Sequence, residues 1–214
     1  MGYLDGTRGN GQIPLSIRPA AFGAATFEYR VHEGRVIIEN IQGLGGEVPG
    51  DQTVPRAEAW AATVLLSRVH PNAVARFGID ASYVTEGIAK RSRLEKGKNG
   101  DIWCVVSALL DLRKAELGIS KVSSHLEAIG AQAVEAEFAF ICDIIGNALA
   151  DESAAIAAEW LEPKKAQCNE AEAIDNLAFM ICIRLAFTQA RIWEVTADSL
   201  LYEAAPEPDE VDLD

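Results

Sequence analysis

Ala21–Leu44 reads AFGAATFEYRVHEGRVIIENIQGL, two runs rich in Val, Ile, Phe and Tyr on either side of Glu33-Gly34. Such runs around a two-residue Xaa-Gly break predict a hairpin, with strands over Ala21–His32 and Arg35–Leu44. Upstream, Tyr3–Asp5 predicts a short strand, followed by the Gly-rich loop DGTRGNGQIP. Downstream, GLGGEVPGDQT places three glycines in four residues before Pro and Gly, and predicts a loop.

Beyond that loop the pattern changes period. Pro55 suits a first helical turn, and Ala57, Trp60, Ala61, Val64, Leu65 and Val69 follow helical spacing until His70-Pro71-Asn72. Val74–Ile79 predicts a fourth strand with Asp80 directly behind it. Helices are expected over Ser82–Arg93 and Asp101–Leu117, the latter capped by Asn99 or Asp101. Ile119–Ser123 is a last short strand. A helical region follows from Ala131 to Trp160, softened near Gly146. The order β, β, β, α, β, α, α, β, α predicts a mixed sheet with helices on its faces. After the linker Glu162–Lys165, Asn169 and Glu172 form a capping box for a further helix reaching Leu201. Ile174, Ala178, Ile181, Leu185, Thr188, Ile192 and Val195 make a heptad stripe along it. Such a helix packs on its own domain or binds a partner through residues 169–201. The domains read as 1–161, 162–203 (linker and amphipathic helix) and 204–214, an acidic disordered tail.

The net charge is −13, which argues against a nucleic-acid partner only if it is evenly spread. It is not. Residues 1–150 carry 15 Lys+Arg against 17 Asp+Glu, whereas 151–214 carry 4 against 15. The near-neutral part also holds one basic cluster, Lys90–Lys98. No window has 18 uncharged apolar residues, so no membrane partner is expected. Met1–Gly9 lacks the features of a signal peptide. Cys104, Cys142, Cys168 and Cys182 show no CxxC pairing and read as reduced core thiols of an intracellular protein, nuclear or cytoplasmic.

Three acids sit at element ends: Asp5 in the first strand, Glu58 in the first turn of the first helix and Asp80 behind the fourth strand; a fourth, Asp151, lies in the helix GNALADE. Taken singly, each has a plain structural reading: turn former or cap for Asp5 and Asp80, first-turn acid for Glu58, solvated helix edge for Asp151. If strands one and four are parallel neighbours, Asp5 and Asp80 stand ~4.8 Å apart. Carboxylates that close repel, and a divalent cation between them removes the cost. An all-oxygen set suits magnesium or manganese rather than zinc. Asn147 shares a helix face with Asp151.

The motifs carrying these acids resemble those of the type 1 ribonuclease H family, in the family's chain order. YLDGT, TVPRAEAWAA, IDASYVTEGI, NGDIWCVV, VSSHLEA and GNALADESA each resemble one family block, together covering about residues 2–160. The Arg-Ala-Glu form is similar to that of ribonuclease H domains in retroelement reverse transcriptases. The resemblance implies a ribonuclease H-like α/β fold: a five-stranded mixed sheet in the order 3-2-1-4-5 flanked by helices, plus the C-terminal amphipathic helix. It implies two Mg2+ or Mn2+ ions and cleavage of the RNA strand of an RNA–DNA hybrid. In that scheme Asp5 bridges the ions, Glu58 and Asp80 hold the ion on the leaving-group side, and Asp151 holds the ion on the water side. His125 shuttles a proton or helps product leave. Gly6 and Thr7 probe the 2′-hydroxyl through their main chain, with Asn10, Arg56 and Ser82 as further contacts. The chain departs from the family by an insertion between His125 and Asp151 and by Pro55 at a substrate-contacting position. A retroelement polyprotein is one setting. A non-catalytic scaffold module, using the C-terminal helix for protein contacts, and a nuclease of the same fold acting on DNA are the alternatives.

Overall fold

The computed structural model describes the backbone of residues 1–123 and 138–203, and the side chains of 1–123 and 141–194. Five strands, β1 (Gly2–Arg8), β2 (Ala20–His32), β3 (Arg35–Glu47), β4 (Ala75–Ile79) and β5 (Leu117–Lys121), form one sheet in the order β3-β2-β1-β4-β5. β1–β2 and β2–β3 are antiparallel; β1–β4 and β4–β5 are parallel. The helices are α1 (Val54–Arg68), α2 (Ser82–Ala89), α3 (Arg91–Leu94), α4 (Gly100–Asp111), α5 (Phe138–Trp160) and α6 (Lys165–Glu203).

The hairpin turns on Glu33 (φ 50°) and Gly34 (φ 71°), the pair of positive φ values that matches the right-handed twist of its strands. Its ladder slips between Thr26 and Glu28, where two β3 residues oppose one on β2. Asn40, at φ 56°, takes the left-handed conformation this bulge needs, which Asn tolerates better than most residues. The hairpin reaches further than the sequence reading: Gly43–Glu47 belongs to β3, not to a loop. The glycines there serve helix packing rather than a turn. A Cβ on Gly45 would stand 2.4 Å from the Ser153 carbonyl of α5, and one on Gly23 of β2 would stand 2.0 Å from the Ala150 carbonyl. Without side chains, β2 and β3 accept α5 almost backbone to backbone.

The strand period divides the core. Leu4 of β1 packs with Leu65, Phe77, Ile79 and Trp103 on the α1/α4 face, while Tyr3 packs with Ala25, Phe27, Cys142 and Ala150 on the α5 face. Gly146 does not soften α5. Its missing Cβ would stand 1.9 Å from the Tyr3 ring, so the glycine is a seat for Tyr3 inside a continuous helix. Tyr3 then donates to Asp143 Oδ1 at 2.8 Å, and Arg76 Nη2 lies 3.6 Å from Asp143 Oδ2. These contacts fix the position of α5 along β1.

Other boundaries move for local reasons. The expected helix over Asp101–Leu117 stops at Asp111, because Leu117 pairs with Ala75 as the first residue of β5. The expected Ser82–Arg93 helix divides into α2 and α3 at Lys90. Cys142 alone among the cysteines is buried; Cys104 and Cys182 are exposed thiols rather than core ones, and Cys168 is half-buried.

The chain divides into two compact units, with the boundary between Pro163 and Lys164. The described part of the second is α6, which begins four residues before the expected capping box. The Lys164 N–H donates to Gln167 Oε1 at 2.8 Å, so Gln167 reaches back to the helix start in place of Glu172. Its exposed apolar side chains include the stripe residues Ile174, Ile181 and Leu185, but also Phe179, Phe187 and Trp193 outside that stripe. Among the described residues no helix is long and apolar enough to cross a membrane. The tail 204–214 and His125 lie outside the described residues.

Candidate metal centre

The β1–β4 register runs Tyr3↔Gly78 and Leu4↔Ile79, so one further step brings Asp5 beside Asp80 just past the end of the parallel ladder. Asp80 follows β4 directly, whereas Asp5 lies mid-strand: β1 runs on through Gly6–Arg8, where the sequence predicts a loop. Asp5 shares a strand face with Tyr3, the face covered by α5. On α5, Asp143, Asn147 and Asp151 follow one another at four-residue steps. The Tyr3–Asp143 bond and the Gly146 seat therefore carry Asp151 to Asp5 two turns further along. Carboxylate oxygens of Asp5, Asp80 and Asp151 all lie within 4.8 Å of one another, each residue half-buried.

Glu58 arrives from the other side of the sheet. It is the fifth residue of α1 rather than a first-turn acid, and the first turn holds no acid at all. Gly6 faces this helix: a Cβ there would stand 2.7 Å from the Glu58 amide nitrogen. The close approach that Gly6 permits within the chain is thus the docking of α1 onto β1, which brings Glu58 to the acid cluster. Burial, followed by the charges of Asp5 and Asp80, pushes the Glu58 carboxyl up to about 7. Burial and then the Asp151 charge push Asp5 up to about 7 as well; the Gly6 amide bonded to its carboxylate pulls the other way, and Asp80 adds to the rise. Groups this reluctant to ionise together mark a cation-binding cluster as readily as a catalytic pair. The donors are all carboxylate oxygens, the set that fits magnesium or manganese.

The other expected contacts lie in different settings. Thr7 continues β1 beside Gly6, past the end of the β4 ladder. Asn10 is exposed and accepts from the Gln12 amide at 3.0 Å. Arg56 is buried and bound within the chain: it makes a two-pronged pair with Asp101 at 2.9 and 2.5 Å and donates to the Pro49 carbonyl at 2.5 Å. Its guanidinium braces the start of α4 against the segment before α1. Ser82 is exposed at the start of α2 and accepts from Lys121 Nζ. Lys121, absent from the residues expected at the site, ends β5 in register with Ile79, one residue before Asp80. The expected strand Ile119–Ser123 places Lys121 at its middle, so nothing in the sequence marks it as a strand end. In the basic cluster, Lys90 pairs with Glu86 at 3.2 Å and Arg91 with Asp111 at 2.6 Å. Lys90 and Arg93 also line a groove of about 270 Å3 with Ser82, Tyr83, Glu86, Gly87 and Leu94.

No family model and no curated protein matches this sequence. Solved structures do. The crystal structure of the prototype foamy virus protease–reverse transcriptase is 16% identical over 72% of this chain and 20% of that one, with a TM-score of 0.52. The solution structure of the prototype foamy virus RNase H domain is 16% identical over 72% of this chain and 92% of that one, with a TM-score of 0.48. RNase H1 from Halobacterium salinarum is 17% identical over 71% of this chain and 94% of that one, with a TM-score of 0.45. With its β3-β2-β1-β4-β5 sheet and flanking helices, the chain carries the ribonuclease H-like fold.

Proposed function

We propose that the chain is a divalent-metal-dependent endonuclease that hydrolyses the RNA strand of RNA–DNA hybrids. The observation that carries this reading is the convergence of Asp5, Asp80 and Asp151 oxygens within 4.8 Å, with the raised Glu58 carboxyl beside them. A pair of magnesium or manganese ions would supply Lewis acidity toward the phosphate, an activated water and a stabilised leaving oxygen. Asp5 would be the ligand common to both, with Glu58 and Asp80 on the leaving-group side and Asp151 on the water side. Hydrolysis adds water across the P–O3′ bond of the RNA strand. The order of motifs supports a hybrid as substrate. The β4-side main-chain edge of β1 carries no ladder beyond Leu4, which leaves Gly6 and Thr7 as the groups that would test for a 2′-hydroxyl. Exposed Asn10 and Ser82 would add side-chain contacts, and Lys90 and Arg93 would meet phosphates by charge. His125 would assist proton transfer. Arg56, committed to Asp101 and Pro49, would act by holding the site's surroundings. We place the protein with its substrate in nucleus or cytoplasm, and its Arg56-Ala57-Glu58 form supports a retroelement polyprotein. The exposed apolar side chains of α6 favour a second role, contact with another protein helix.

The test uses purified chain with Mg2+ or Mn2+ and labelled RNA–DNA, RNA–RNA and DNA–DNA duplexes. RNA-strand cleavage in the hybrid alone, abolished by Asp80→Asn, is expected. Cleavage that survives Asp80→Asn, or none with either metal, refutes the assignment.

A further inference from the structure

Asn147 lies one helical turn before Asp151 on α5 and is 1% exposed. Its Nδ2 donates to Asp151 Oδ2 at 3.5 Å. Its Oδ1 is buried with no hydrogen-bond partner among the described residues. Burying an amide with half of its polar capacity unmet costs folding free energy. A leucine, with the same branching and the same number of side-chain heavy atoms, would occupy the site without that cost. Folding therefore gives no reason for an amide here, whereas the contact with Asp151 does. We propose that Asn147 is a positioning residue: its amide nitrogen holds the Asp151 carboxylate in the orientation that meets Asp5 and Asp80.

This rests on the reading of the acid cluster as a metal centre and adds a residue that does not touch the ion. An ionised carboxylate only accepts, so the amide must present its NH2 to Asp151, and the carbonyl is left over. Residues that orient metal-binding carboxylates typically change metal affinity by 10–100-fold when removed. Two consequences separate positioning from a structural role. Asn147→Leu should bind metal more weakly, yet melt at the same temperature as the wild type or above it. Its loss of cleavage should be recovered by raising the metal concentration.

The experiment is calorimetric titration of the full chain with Mn2+, on wild type, Asn147→Leu and Asn147→Ala, with melting temperature measured alongside. A fall in affinity of about 10–100-fold in both variants, with Asn147→Leu no less stable than wild type, is expected. Equal affinity in wild type and Asn147→Leu overturns the proposal and leaves the metal centre standing. If the wild type binds no ion, the metal centre itself fails. A second measurement needs no variant: the Asn147 side-chain NH2 resonances in a 15N-labelled wild type should shift on Mg2+ titration. Resonances that stay still while Mg2+ binds overturn the proposal even if both variants fail to fold.

Discussion

Burying Asp5 and Glu58 among neighbouring acids should make the metal-free protein lose stability as it is brought to neutral pH. Asp5 is raised from 3.8 to about 7 and Glu58 from 4.5 to about 7. A carboxyl whose folded value lies above its unfolded one binds more protons when folded. Its contribution is fully present below pH ~4 and is lost as the pH rises through about 7. For Asp5, roughly three units at 1.36 kcal/mol each set a ceiling of about 4 kcal/mol. The site is only half-buried, and Asp5 and Glu58 share their repulsion, so solvent screening and coupling reduce the loss to about 1–3 kcal/mol. For a chain of this size that corresponds to about 2–12 °C in melting temperature. Thermal melts in chelator between pH 4 and 8 measure it, with Asp5→Asn as the reference that lacks the central charge. The wild type should fall relative to Asp5→Asn across this range. Saturating Mg2+ at pH 8 should recover the loss in the wild type alone, since binding at 100 times Kd contributes about 2.7 kcal/mol. Parallel profiles for the two proteins would show that neither burial nor neighbouring charge raises the Asp5 carboxyl, and the metal centre would lose its electrostatic basis.

Two further outcomes test how α5 is held. Gly23→Ala puts a methyl 2.0 Å from the Ala150 carbonyl and 2.5 Å from the Ala154 amide nitrogen, contacts only a backbone shift can relieve, so it should cost about 3 kcal/mol or more and weaken metal binding with it. Gly11→Ala, with open space around it, is the control and should melt with the wild type. Tyr3→Phe removes the hydroxyl that donates to Asp143 at 2.8 Å; a bond to a charged group contributes about 1.5–3 kcal/mol, and urea denaturation should show a loss of that size.

What could be read from the chain, and what could not, divides along physical lines. The hairpin was legible because Glu33-Gly34 meets a local demand for positive φ, visible in two residues. The acids stood out through the motifs around them, although only Asp80 directly follows a strand; Asp5 lies mid-strand, where the β1–β4 ladder stops. The glycines were misread because a glycine in sequence announces freedom of φ, whereas Gly43, Gly45 and Gly146 are there for space. A turn and a close approach leave the same letter, and only the partner tells them apart: Ser153 for Gly43 and Gly45, the Tyr3 ring for Gly146. The end of α4 was lost in the same way, to a strand pairing between Leu117 and Ala75 across forty-two residues that no local period reports. These misreadings bear on the site. Asp151 meets Asp5 only because α5 lies close enough to the sheet, and it lies close because β2, β3 and α5 itself give up side chains at the contact. The glycines that looked like loop and helix break are thus part of what assembles the acid cluster. A substitution at Gly23 or Gly146, with no acid touched, should therefore disturb metal binding as well as stability.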